Sequence, residues 1–132
     1  MRKLFSLVLF STLSLSSAHT AVTSITPGPK TPVTAPRNVL ISFSEPIELR
    51  FSTFRVMAVP AGKTLEDAAH VALALKADAS ELVNTALKAQ GMAARLTLPL
   101  KPGLKAGTYV IAWKMLSEDG HPVTGQSVFH VK

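Results

Sequence analysis

A chain of 132 residues with no cysteine excludes thiolate metal sites, zinc ribbons, iron–sulfur centres and a disulfide framework, so apolar burial has to hold its core. Any metal must then find His, Asp, Glu, Met or an amino terminus. Its 14 lysines and arginines outnumber 8 acidic residues, but they are dispersed, without the clusters and interleaved aromatics of a nucleic-acid groove. That argues against nucleic acid and leaves, at most, peripheral attraction to an anionic membrane surface or an acidic partner.

The first residues read as an export signal. Met1-Arg2-Lys3 is basic, Leu4 to Leu15 is an apolar run, and Ser16-Ser17-Ala18 supplies the small residues of a cleavage site, with cleavage expected after Ala18. A spanning anchor needs roughly 20 apolar residues, and the Ser and Thr interruptions followed by His19 and Thr20 do not provide them. Residues 1–18 are therefore expected to be removed, leaving 19–132 as one domain, long enough for a single core.

The mature chain reads as mostly β. Val39 to Phe43 alternates, with Val39, Ile41 and Phe43 on one face, and stops at Ser44-Glu45-Pro46. Thr53 to Val59 repeats the pattern with Phe54, Val56 and Ala58 inward. Leu65 to Ala69 is too short to assign. His70 to Lys76 reads as a strand with Val71, Leu73 and Leu75 together and His70 on the other face. Asp78 to Gln90 reads as a connection with a short helix: Asp78 and Glu81 stand in capping-box positions, Leu82, Val83, Ala86 and Leu87 share a face, and Gly91 stops it. Ala94 to Leu100 carries Leu96, Leu98 and Leu100 on one side, with Pro99 weakening its end. Thr108 to Ser117 separates Tyr109, Ile111, Trp113 and Met115 from Val110, Ala112, Lys114 and Leu116. Val123 to Val131 sets Phe129 and Val131 beside Ser127. Turn signals at Pro27-Gly28-Pro29, Pro60-Ala61-Gly62, Lys101-Pro102-Gly103 and Ala106-Gly107 separate these runs, predicting an all-β sandwich or small barrel.

The chemistry concentrates in two places. Once the signal is removed, His19 becomes residue one and offers its amine and a ring nitrogen to one metal; the amine, with a reference pKa near 8, gives up its proton at little cost. Nitrogen donors of this kind suit Cu(II), which leads the divalent first-row ions in affinity. In Ser117-Glu118-Asp119-Gly120-His121-Pro122, Asp119 and His121 fall on one face if the backbone is extended, and Pro122 biases His121 that way. His121 adds a third nitrogen and Asp119 an oxygen, so one Cu(II) per chain is expected among His19, Asp119 and His121. Taken alone, the Asp-Gly-His-Pro segment also describes a surface turn with a solvated histidine.

Other residues carry weaker signals. His70 and His130 lie on predicted strands, facing away from the apolar side, as exposed or hydrogen-bonded histidines do. Met57, Met92 and Met115 are isolated, whereas a Cu(I) site wants several thioethers together. Glu45 and Glu48 flank Pro46 as a solvated turn or a docking patch, and Tyr109 and Trp113 read as core aromatics. No nucleophile, base and orienting group form a hydrolase motif.

The chain resembles the CopC family of small periplasmic copper proteins along its whole mature length. The resemblance rests on His19 after the signal, the early Pro-rich turn, the run Asn38-Val-Leu-Ile-Ser-Phe-Ser-Glu-Pro-Ile-Glu48 followed by Phe51-Ser52, and Gly107-Thr-Tyr-Val-Ile-Ala-Trp-Lys-Met-Leu-Ser-Glu-Asp-Gly-His-Pro-Val-Thr-Gly125 with Phe129 beyond. It implies a cupredoxin- or immunoglobulin-like Greek-key β-barrel of about seven strands. It also implies a Cu(II) site at His19, Asp119 and His121, and a monomer acting in periplasmic copper sequestration, homeostasis or delivery beside a CopD-like inner-membrane protein. No Met-rich stretch is present, which implies a Cu(II)-only member, and Ala77 to Gly91 departs from the compact pattern expected of the family. Two competing readings are a copper oxidase or monooxygenase, which would also use a terminal histidine chelate, and a metal-free interaction sandwich.

Overall fold

Alternation of apolar residues along the strands builds two three-stranded antiparallel sheets in the computed structural model, which describes residues 20–117 and 120–132. The first sheet contains β1 (Val22–Thr26), β2 (Asn38–Glu48) and β4 (Met92–Pro99), in the order β1-β2-β4. The second contains β3 (Thr53–Ala58), β5 (Gly107–Leu116) and β6 (Pro122–Val131), in the order β3-β5-β6. The links β2–β3, β3–β4 and β4–β5 all cross between sheets, as Greek-key connectivity requires. Six strands stand among the described residues, against the seven expected.

The inward faces follow the period of two. Val39, Ile41 and Phe43 from β2 and Leu96 and Leu98 from β4 meet Phe54 and Val56 from β3, Tyr109, Ile111, Trp113 and Met115 from β5, and Phe129 and Val131 from β6. The Phe43 and Phe54 rings span the gap between sheets at 5.9 Å. Tyr109 stacks on Phe129 at 5.2 Å, while its hydroxyl donates to the Lys105 carbonyl at 2.7 Å. Burying each of these large side chains contributes about 1.5–3 kcal/mol. Trp113 lies over Gly125, its partner on β6, so closely that a Cβ there would fall 2.5 Å from the indole.

The other face of the second sheet is buried too, which explains why β5 is apolar on both sides. Met57, Val110 and Ala112 are covered by α1 (Leu65–Ala74) through Ala68, Ala69 and Ala72, whose small side chains let the helix sit close. The Thr64 hydroxyl caps that helix by accepting from Asp67 N at 3.1 Å, and Glu66 and Asp67 complement its first turn. The strand expected at His70–Lys76 is therefore the last turns of a helix and its exit. The alternation of Val71, Leu73 and Leu75 is not that of a strand, because the fully buried stripe of the helix is made of alanines, with Leu73 and Leu75 partly buried against the same cluster. Ala58, expected inward, is exposed at the end of β3, where Met57 is buried instead beneath α1.

No helix forms over Asp78–Gln90. β3 is an edge strand whose backbone groups need partners, and the segment 82–85 supplies them: Leu82 bridges Met57, and Val83 N donates to Val56 O at 2.8 Å. Asn84, 2% exposed, imitates a strand backbone by accepting from Val56 N at 2.7 Å through Oδ1. Thr85 N then donates to Pro99 O and Lys101 N to Val83 O, so this segment joins the edge of β3 to the end of β4. Satisfying that edge outweighs the local helical pattern. On the far side Val33 pairs with β6 through Val33 N to His130 O and Lys132 N to Val33 O, both 2.9 Å.

Candidate metal site

Strand direction fixes which segments meet at each end of the sandwich. Val22 pairs with Phe43, Glu48 with Met92, Thr53 with Lys114 and Leu116 with Pro122. The beginning of β1, the end of β2, the 3-10 turn Leu49–Phe51 and the β5–β6 loop consequently share one end. A shallow hollow of about 280 Å³ lined by Pro46, Glu48, Phe51, Met92, Leu116 and Ser117 lies there.

The β5–β6 loop is held from within. Ser117, 6% exposed, donates both its backbone N–H and its hydroxyl to the His121 carbonyl, each at 2.9 Å, and Gly120 N donates to Ser117 O at 2.9 Å. Gly120 has φ of 82°, a left-handed conformation that glycine adopts without the steric cost of a Cβ. These bonds set the backbone of His121 at the mouth of β6 while leaving the residue exposed to solvent. Asp119 lies outside the described residues.

His19 and residues 1–18, expected as an export signal, also lie outside them, but the chain immediately after His19 is anchored. Thr20 is 2% exposed. Ala21 N donates to Ser44 Oγ at 2.9 Å, and Ser44 N to Ala21 O at 2.8 Å. These bonds continue the antiparallel pairing of Val22 with Phe43 by one residue, where the β2–β4 register also shifts between Ser42 and Ile47. The residues that follow His19 are therefore pinned at the end of the sandwich that carries His121.

The weaker candidates are dispersed. His70 is exposed on α1. The His130 ring Nδ1 lies 3.1 Å from Thr108 Oγ1 at the opposite end of the second sheet. Met115 and Met57 lie in separate cores on opposite faces of that sheet, and Met92, 58% exposed, stands at the hollow. Glu48 caps the 3-10 turn, its Oε1 accepting from Arg50 N at 3.2 Å, so it serves the local backbone. Trp113 and Tyr109 are core, as their strand face predicts. Among the described residues no three His, Cys, Asp or Glu side chains converge to hold a metal; of the expected trio only His121 is among them. Sequence reasoning overlooked Ser117 and Ser44, although a buried serine opening a hairpin loop is a common way to bind the carbonyl that closes it.

Comparison with known proteins agrees with this architecture. The CopC domain model matches residues 22–132. Copper resistance protein C of Pseudomonas syringae pv. tomato is 31% identical over 121 residues, covering 90% of this chain and 85% of that protein. Copper resistance protein C of Escherichia coli is 29% identical over 119 residues, covering 87% and 82%. Among solved structures, CopC from Methylosinus trichosporium OB3b superposes with a TM-score of 0.57 at 24% identity, covering 86% of this chain and 94% of its own. PcoC, a methionine-rich copper resistance protein from Escherichia coli, does so with a TM-score of 0.58 at 24% identity, covering 87% and 100%. At that identity the structural likeness concerns the fold.

Proposed function

Because this chain belongs to the CopC family, we propose that it is a periplasmic copper-binding protein that holds one Cu(II) ion between His19, Asp119 and His121 for sequestration or for delivery to a CopD-like membrane partner. The observation that supports this reading most is the shared end of the sandwich, where Thr20 and Ala21 are pinned to β2 and the Ser117–His121 loop closes β5 onto β6. Two segments anchored independently of the ion have less freedom to lose on binding it, which favours a tight site.

The ligand chemistry follows from the donors. Amine and imidazole nitrogens suit Cu(II), and the Asp119 carboxylate offsets its charge. The methionines among the described residues are divided between two buried cores and one exposed position, which supports a Cu(II) site without a thioether-rich partner. Export with cleavage after Ala18 is part of the proposal, since only a free amine on His19 completes the chelate.

The test is a titration of the mature chain with Cu(II), followed by electron paramagnetic resonance. One equivalent should bind with nitrogen hyperfine structure, and His121→Ala should change the spectrum and weaken binding. An identical spectrum and affinity in that variant would remove His121 from the site.

A further inference from the structure

A second cleft lies on the other side of the 3-10 turn from the hollow beside Ser117. It is about 450 Å³, and Arg50, Arg55 and Lys88 line it together with the polar residues Ser52, Thr53 and Gln90. Among the described residues its lining contains three cations and neither a carboxylate nor a His, a set that suits an anion better than a metal cation.

Arg55 is the informative member. It sits on β3, half-buried, and its Nη1 donates to the Phe54 carbonyl at 3.0 Å, yet Nε is buried with no hydrogen-bond partner among the described residues. Burial also holds the guanidinium below its usual pKa, because desolvation penalises the charged form. With Nη1 held by the Phe54 carbonyl, the guanidinium is fixed at the cleft wall, where its charge suits the oxygens of a carboxylate or phosphate. A partly buried charge is costly, and an anion in the cleft offsets it. Lys88 adds a second charge from the 82–90 connection, which is tied to the sandwich through its bonds to Val56 and Pro99. Arg50 stands at the rim, stacked over Phe51 at 4.7 Å.

From this geometry we infer that the cleft is a binding site for a small free oxyanion of the phosphate or carboxylate class, with Arg55 as its principal ligand and Lys88 as the second charge. This goes beyond the copper reading and does not depend on it. Anion binding offsets the charge of Arg55, and because the site exists only in the folded chain it must also raise the melting temperature.

The experiment uses the copper-free mature chain and follows backbone amide shifts by NMR during titration with inorganic phosphate, with succinate as a carboxylate arm and sodium chloride at equal ionic strength as control. Saturable shifts confined to residues 49–55 and 87–90 are expected with phosphate or succinate and not with chloride. Arg55→Gln should weaken binding about tenfold or more, as loss of a charge-assisted pair does, and Lys88→Ala, at an exposed position, should weaken it less. His121→Ala should leave anion binding unchanged, which separates this site from the copper reading. Shifts no larger than those with chloride, or equal affinity in a folded Arg55→Gln and in Lys88→Ala, would overturn the inference.

Discussion

Replacing Asn84 with alanine tests how the two sheets are joined. The side chain accepts from Val56 N at 2.7 Å and donates weakly to Phe54 O at 3.5 Å and to Thr85 O at 3.2 Å, all beside a strand residue that is fully buried. Without the amide, Val56 N is left as a buried unsatisfied donor, which costs about 1–3 kcal/mol, and the space vacated adds to it. A loss of about 2–4 kcal/mol is therefore expected, equivalent to a fall in melting temperature on the order of 8–16 °C for a domain of this size. Thermal and urea unfolding of the mature chain measure it, with Thr85→Ala as the control, because that exposed hydroxyl makes only a long bond to Pro99 O at 3.4 Å. A loss below about 0.5 kcal/mol, no more than an ordinary surface substitution, would mean that water satisfies the β3 edge and that segment 82–85 is not a structural staple.

Gly125→Ala should drive the new methyl into the Trp113 ring; overpacking of this kind costs about 1–3 kcal/mol, and a shift in tryptophan emission with lowered unfolding temperature would report it, whereas unchanged emission and stability would contradict the contact. Ser117→Ala removes the hydroxyl bond to the His121 carbonyl but keeps the backbone one, so stability should fall by about 0.5–1.5 kcal/mol. Cu(II) affinity should weaken about tenfold, in the manner of an outer-shell residue, and unaltered affinity would mean the loop does not need that clamp.

How far the fold was legible depended on how much of its signal was local. The alternation of Val39, Ile41 and Phe43, of Leu96, Leu98 and Leu100, and of Tyr109, Ile111, Trp113 and Met115 reports a buried face directly, and those strands and their inward residues are where the pattern puts them. β1 carries a burial pattern dominated by exposed and half-buried residues, and such an edge strand leaves little hydrophobic signature. α1 was concealed because Ala68, Ala69 and Ala72 bury without standing out as apolar, while the more conspicuous Val71 is 46% exposed. The 82–85 segment was misread for a different reason: its conformation is set by the open edge of β3, which no local window contains.

Of the expected site, His121 could be picked out because Gly120 and Pro122 mark its loop; His19 is expected as the first residue after the signal and Asp119 from its spacing to His121, and both lie outside the described residues. The tether from Ala21 to Ser44 was not visible, since it depends on the register of β1 against β2, which only the pairing reveals. Nor was the cleft around Arg55, whose lining residues come from two chain segments about twenty positions apart, 49–55 and 77–90.

The most direct measurement compares Cu(II) affinity of the chain beginning at His19 with one bearing a single extra glycine before it. Adding the residue moves the free amine away from the imidazole without altering any bond made by Ala21 or Ser117. Losing a direct ligand should exceed the 10–100-fold effect typical of an outer-shell change, so affinity should drop by about a hundredfold or more. Equal affinity in the two proteins would contradict the terminal chelate and with it the proposed site.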